Sequence, residues 1–90
     1  MIDKFVGYIA GVRRYSPRTQ QIYRCVLEEF SQYSGLEKDF SGISPTMIRN
    51  YEVHLLDGRA LGARSVNLHL SVLSSFCHFL MKEGCLEANP

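Results

Sequence analysis

The sequence predicts an all-α domain of four helices, arranged as two helical hairpins packed on each other. Three observations lead there. No run of alternating apolar and polar residues bounded by turns occurs, so no strand is predicted. The same start signal appears twice, as Ser16-Pro17 and Ser44-Pro45, each followed by apolar residues at helical spacing. The stretch from Ala63 to Lys82 holds no glycine, no proline and no acid. Its Val66, Leu70, Leu73, Cys77 and Leu80 recur at spacings of four and three, which makes one apolar helix face.

The first helix is expected over Ile2 to Val12. Ile2, Phe5, Val6, Ile9 and Val12 share a face, while Gly7 and Gly11 each cost roughly 1 kcal/mol relative to alanine. Arg13 and Arg14 suit its C-terminal end, where cations oppose the helix dipole. The second helix is expected from Pro17 to Tyr33. Ser16 is the N-cap, Pro17 the first residue, whose missing N–H costs nothing there, and Gly35 the stop. Ile22, Tyr23, Val26, Leu27, Phe30 and Tyr33 give its apolar face. Arg18, Gln20, Gln21 and Arg24 fall on the exposed side.

Leu36 to Ile43 reads as a loop, with Asp39, Ser41 and Gly42 as turn residues and Phe40 and Ile43 as anchors to the core. The third helix starts at Pro45 behind the cap Ser44. Met47, Ile48, Tyr51, Leu55 and Leu56 supply its face, and it ends near Leu56 because Asp57-Gly58 is a turn dipeptide. The fourth helix is Ala63–Lys82, closed by Gly84. Leu68, His69, Val72, Phe76 and Phe79 widen its apolar face, so it is expected to be buried over much of its circumference. What remains is a stripe of Arg64, Asn67, Ser71, Ser74, Ser75, His78 and Lys82, none of it negative. Asn89-Pro90 disfavours helix and predicts an extended exit.

Ninety residues make one domain at most, and a 46% hydrophobic composition allows a modest core. A net charge of +1 is not that of a strongly basic nucleic-acid binder. The distribution says more. Tyr8 to Leu27 carries Arg13, Arg14, Arg18 and Arg24 without an acid, and Gly58 to Lys82 carries Arg59, Arg64 and Lys82 without one. Cys25, Cys77 and Cys85 have no CxxC spacing and read as small buried or half-buried thiols, consistent with a reducing cytoplasm. No apolar run approaches the ~18 residues of a membrane span, and Met1 to Phe5 lacks a signal-peptide pattern.

No catalytic constellation emerges. His54, His69 and His78 have neither HExxH nor i,i+4 spacing, so no zinc site and no cofactor is expected. There is no GxSxG elbow and no glycine-rich phosphate loop. Two binding readings stay open on the residues alone. In the first, Ser16, Arg18 and Thr19, with Arg64 and Ser65, place hydroxyls and cations at two helix N-termini, which suit phosphate. Asn67, Ser71, Ser74 and Ser75 are short enough for close approach to DNA. In the second, the chain is a helical protein-interaction domain. Serines on helix faces are ordinarily just solvated, and Ser with Arg at a helix start is ordinary capping.

The order of motifs resembles the N-terminal core-binding domain of tyrosine recombinases, the phage-integrase and Xer group. The matching pieces are Phe5 with Tyr8-Ile9; Tyr15-Ser16-Pro17-Arg18-Thr19 with Tyr23, Leu27 and Phe30; and Ile43-Ser44-Pro45 with Ile48, Tyr51 and Leu55. They continue through Ala63-Arg64-Ser65-Val66-Asn67, Leu70-Ser71, Leu73, Phe76 and Phe79-Leu80 to Glu83-Gly84 and Asn89-Pro90. The resemblance implies a SAM-like four-helix bundle spanning residues 1–90. It also implies a catalytically inert part of a site-specific recombinase, with the catalytic domain outside this chain. The second and fourth helices would face the DNA as half of a clamp, through Ser16, Arg18, Thr19, Arg24, Arg64, Ser65, Asn67, Ser71, Ser74, Ser75 and His78. Double-stranded DNA, the catalytic domain and recombinase protomers in a tetramer would be the partners. The start at Met1 is expected to leave no room for an arm-binding domain before it. Related domains often carry basic residues where this chain has Leu68, His69 and Ser74, which implies weak binding by the isolated domain.

Overall fold

A computed structural model of the chain describes residues 2–36, 40 and 42–84. Its helices are α1 (Ile2–Gly11), α2 (Pro17–Ser34), α3 (Pro45–Val53) and α4 (Ala63–Lys82), with a π turn over His54–Gly58. No strand occurs among the described residues, so the all-α class and the four helices hold. The backbone divides into two compact units, residues 1–39 and 40–90.

In the first unit α1 buries Phe5, Val6 and Ile9. It ends one residue before the predicted end, and Val12, expected on the apolar face, is 68% exposed. The chain leaves the helix there. Arg14 takes a left-handed φ of 55°, and the Tyr15 N–H donates to the Ile9 carbonyl at 2.9 Å. Arg13 and Arg14 therefore lie past the helix rather than in its last turn.

Ser16 caps α2 as predicted. Its side chain accepts from the Thr19 N–H, and Pro17 opens the helix. Val26, Leu27 and Phe30 are buried. Tyr33, expected on that face, is 41% exposed. Cys25 is exposed, contrary to the expected half-buried thiol, since it falls on the polar side of α2 beside Gln21 and Glu28. Gly35 ends the helix at φ 77°, and its N–H donates to the Ser31 carbonyl. This left-handed stop is where glycine is needed. Phe5 stacks on Tyr23 at 6.2 Å, and Tyr15 meets Tyr23 edge-on at 5.5 Å. This aromatic run joins α1, the corner and α2.

In the second unit Phe40 and Ile43 are buried, as their anchoring role requires. The turn residues Asp39 and Ser41 lie outside the described residues, as do Cys85 and the Asn89-Pro90 exit. Ser44 accepts from the Met47 N–H at 3.2 Å and caps α3. The helix runs to Val53 rather than Leu56, because the backbone widens into the π turn: Arg59 N–H bonds the His54 carbonyl at 3.0 Å. The widening keeps Leu55 fully buried and leaves Leu56 45% exposed, against expectation. Gly58 sits where space is tight rather than where φ demands glycine. A Cβ there would meet His54 Nδ1 at 3.0 Å, and the His54 ring already stacks on Tyr51 at 6.0 Å.

Helix α4 buries Val66, His69, Val72, Leu73, Phe76, Cys77, Phe79 and Leu80. Each fully buried apolar side chain in this set contributes about 1.5–3 kcal/mol relative to exposure. Phe76 meets Phe40 edge-on at 5.0 Å. Gly84 closes the helix at φ 79°. Leu68, expected to widen the apolar face, is 42% exposed. It sits four residues after Arg64 and three before Ser71, so it shares their face.

Candidate functional site

The face of α4 opposite the core is an exposed polar surface that runs the length of the helix. Arg64, Ser65, Asn67, Leu68, Ser71, Ser74, His78 and Lys82 are exposed, and Ser75 is half-buried. Spacings of three and four put all but Ser65 in one stripe. The helix contains no Asp or Glu, so nothing on it opposes an approaching anion. Its N-terminus adds to this. Gly62 precedes the first residue and no side chain caps the end. The first amides, on Ala63, Arg64 and Ser65, thus face outward at the positive end of the helix dipole.

The stripe is held in place from behind. Its rigidity comes from the buried face, and from a polar tie between α4 and α3. His69 is 8% exposed, and its Nδ1 lies 3.3 Å from the Tyr51 hydroxyl. A buried imidazole and a buried phenol thus meet, as buried polar groups require. His69 therefore lies in the core, whereas Leu68 and Ser74 face outward.

In the first unit Ser16, Arg18 and Thr19 gather at the start of α2. Ser16 and Arg18 are exposed and Thr19 is half-buried. The two hydroxyls serve the cap: Ser16 accepts from the Thr19 N–H at 3.3 Å and donates to Thr19 Oγ1 at 3.0 Å. Pro17 has no N–H to offer. Of the outward amides at this end, only that of Arg18 is left for a ligand, so this N-terminus is a poorer anion site than that of α4.

Arg24 lies further along α2. Its guanidinium pairs with Asp3 of α1 and stands 4.0 Å from Glu28. The hydrogen bond from Arg24 holds the Asp3 carboxyl below its ordinary value. Cys77 is buried beneath α4, and burial pushes its thiol up to about 11. Among the described residues no group of three or more His, Cys, Asp or Glu could hold a metal ion. No helix among them is long and apolar enough to cross a membrane.

Two features escape the sequence patterns. The Tyr51–His69 tie spans eighteen residues and has no local signal. Arg13 and Arg14 form an exposed basic corner. Their signal is plain, two consecutive arginines just before a Ser-Pro start, but the expected helix end absorbed it.

A family model described as the phage integrase N-terminal SAM-like domain matches residues 2–84. The chain is also similar to curated proteins named tyrosine recombinase XerC. That of Oceanobacillus iheyensis is 36% identical over 91 residues, covering 99% of this chain and 30% of the relative. That of Escherichia coli O1:K1 / APEC is 34% identical over 92 residues, with 99% and 30% covered. That of Lactobacillus delbrueckii subsp. bulgaricus is 30% identical over 89 residues, with 98% and 30% covered. The chain thus spans about a third of the length of these relatives. No solved structure matches it.

Proposed function

The chain belongs to the phage integrase N-terminal SAM-like domain family, and from that premise we propose that it is the DNA-binding domain of a site-specific tyrosine recombinase. In this reading it forms half of a clamp on a double-stranded recombination site. A further domain carries the strand-breaking chemistry, and this one contributes no catalytic residue. Other recombinase protomers, completing a tetramer on two DNA sites, are the remaining partners, and the cytoplasm is the compartment.

The observation that carries the reading is the acid-free outer face of α4. B-DNA's major groove is about 12 Å wide and admits a helix. Ser71, Ser74 and Ser75 keep the side-chain layer thin, so the helix backbone can come close to the DNA. Asn67 and the serines offer hydrogen bonds to base edges or sugar–phosphate, and Arg64 and the uncapped amides beside it suit a phosphate. The charge available is small. Arg18 and Arg64 together would give a salt dependence of log K of roughly −2, so the domain alone binds weakly and without steep salt sensitivity.

Chemical-shift mapping with duplex DNA tests this. The expected shifts cluster on Arg64 to Lys82 and around Arg18. Shifts confined to the Glu28 and Glu52 surfaces would sink the reading. Leu68 supports a second one. An exposed leucine inside a polar stripe suits a protein partner, which would bind through it without responding to salt or DNA.

A further inference from the structure

Two arginines of the first unit have opposite surroundings. Arg24 faces carboxylates, Asp3 and Glu28, and its charge is largely matched within the unit. Arg13 has no carboxylate beside it among the described residues. Hydrogen bonding to the Tyr8 side chain, with Tyr15 close by, favours its charged form. Neither tyrosine cancels its charge. Tyr15 is itself fixed: it packs edge-on against Tyr23, its N–H bonds the Ile9 carbonyl, and its carbonyl accepts from Gln20 Nε2 at 2.8 Å.

Arg14 follows in the left-handed region at φ 55°, where glycine would be easier than an L side chain. Arg13, Arg14 and Arg18 are all exposed. Among the described residues no ion pair joins any of the three to a carboxylate. The chain between Arg13 and Arg18 limits their Cα atoms to a span of at most about 18 Å. That is the axial rise of about five phosphates on one DNA strand.

We propose that the α1–α2 corner, Arg13 and Arg14 together with Arg18, is the phosphate-contacting surface of the first unit, and that Arg24 is instead an internal tie to α1. The assignment rests on the DNA-binding reading and adds two contacts to it.

The test is fluorescence anisotropy of the 90-residue chain with a labelled duplex of arbitrary sequence, since phosphate contacts do not depend on sequence. Binding is followed over a series of salt concentrations, with helicity checked by circular dichroism. Arg13→Ala and Arg14→Gly are each expected to lower the magnitude of the log K against log[salt] slope by about 0.9. Arg13→Lys keeps the slope, and Arg14→Gly unfolds at no lower temperature than the parent chain. Arg24→Gln leaves the slope unchanged. Parent-like slopes for both corner variants, or a loss with Arg24→Gln alone, overturn the assignment while leaving DNA binding intact. A parent chain that ignores the duplex at low salt overturns the DNA-binding reading itself, and this assignment with it.

Discussion

Cys25 and Cys77 look alike in sequence, yet the fold exposes one and buries the other. Cys25 is exposed, whereas Cys77 is 2% exposed among the aromatic and aliphatic side chains behind α4. Burial disfavours the thiolate and raises Cys77 to about 11. The sign of the linkage follows. The unfolded chain gives up this proton near the ordinary thiol value of about 8.5, while the folded chain keeps it. The stabilisation is therefore complete below that value and declines as pH rises from about 8.5 towards about 11. Urea unfolding across this alkaline range is expected to show a decline that Cys77→Ala lacks. An alkylating reagent at neutral pH, followed by peptide mass spectrometry, is expected to label Cys25 and spare Cys77. Fast labelling of Cys77 in the folded chain would contradict its burial.

Each element shows how local chemistry sets a boundary and tertiary packing can move it. The Ser-Pro starts of α2 and α3 are local. A hydroxyl satisfies one orphan amide and proline pre-sets the first φ, so both starts fall where the sequence puts them. Ser44→Ala is expected to cost about 1 kcal/mol, a fall in Tm of about 4–8 °C for a domain of this size. Ser44→Gly should recover most of it, because glycine is itself tolerated at an N-cap. Equal losses for the two variants in thermal unfolding would mean that the hydroxyl acts elsewhere. The end of α3 is not local. Asp57-Gly58 marks a turn, but a regular turn and a π turn use the same dipeptide. The choice is tied to the burial of Leu55 and the His54 ring over Tyr51.

For the molecule as a whole, charge is scarce and position decides what it does. A net charge of +1 gives no long-range attraction to DNA, so any affinity must come from a few placed cations. Arg64 stands at the uncapped start of α4 and Arg18 at the start of α2. Within the proposed function, Arg64→Ala and Arg18→Ala each weaken duplex binding uniformly across sequences and reduce the salt slope by about 0.9. Neither change touches a buried side chain, so the unfolding free energy from urea titration should stay within about 0.5 kcal/mol of the parent. A variant that alters sequence preference while keeping its salt slope would assign that arginine to base contacts instead.

By itself the sequence determined the all-α class, both Ser-Pro starts, the glycine stops at Gly35 and Gly84, and most of the buried face of α4. These depend on interactions within a few residues or on a strict helical period, and both are written along the chain. The polar stripe of Ala63–Lys82 was legible for the same reason. Only the tertiary structure decided that His69 belongs to the core, because its partner Tyr51 lies eighteen residues away. Only it turned Leu68 outward, since a wide apolar arc does not say which edge its neighbours cover. It also separated Arg24 from Arg13. The spacing shows both as cations on an acid-free segment, but Asp3 reaches Arg24 from another helix, while no carboxylate among the described residues pairs with Arg13. A charge is identified by its sequence position, but whether it stays available depends on which groups the fold sets beside it.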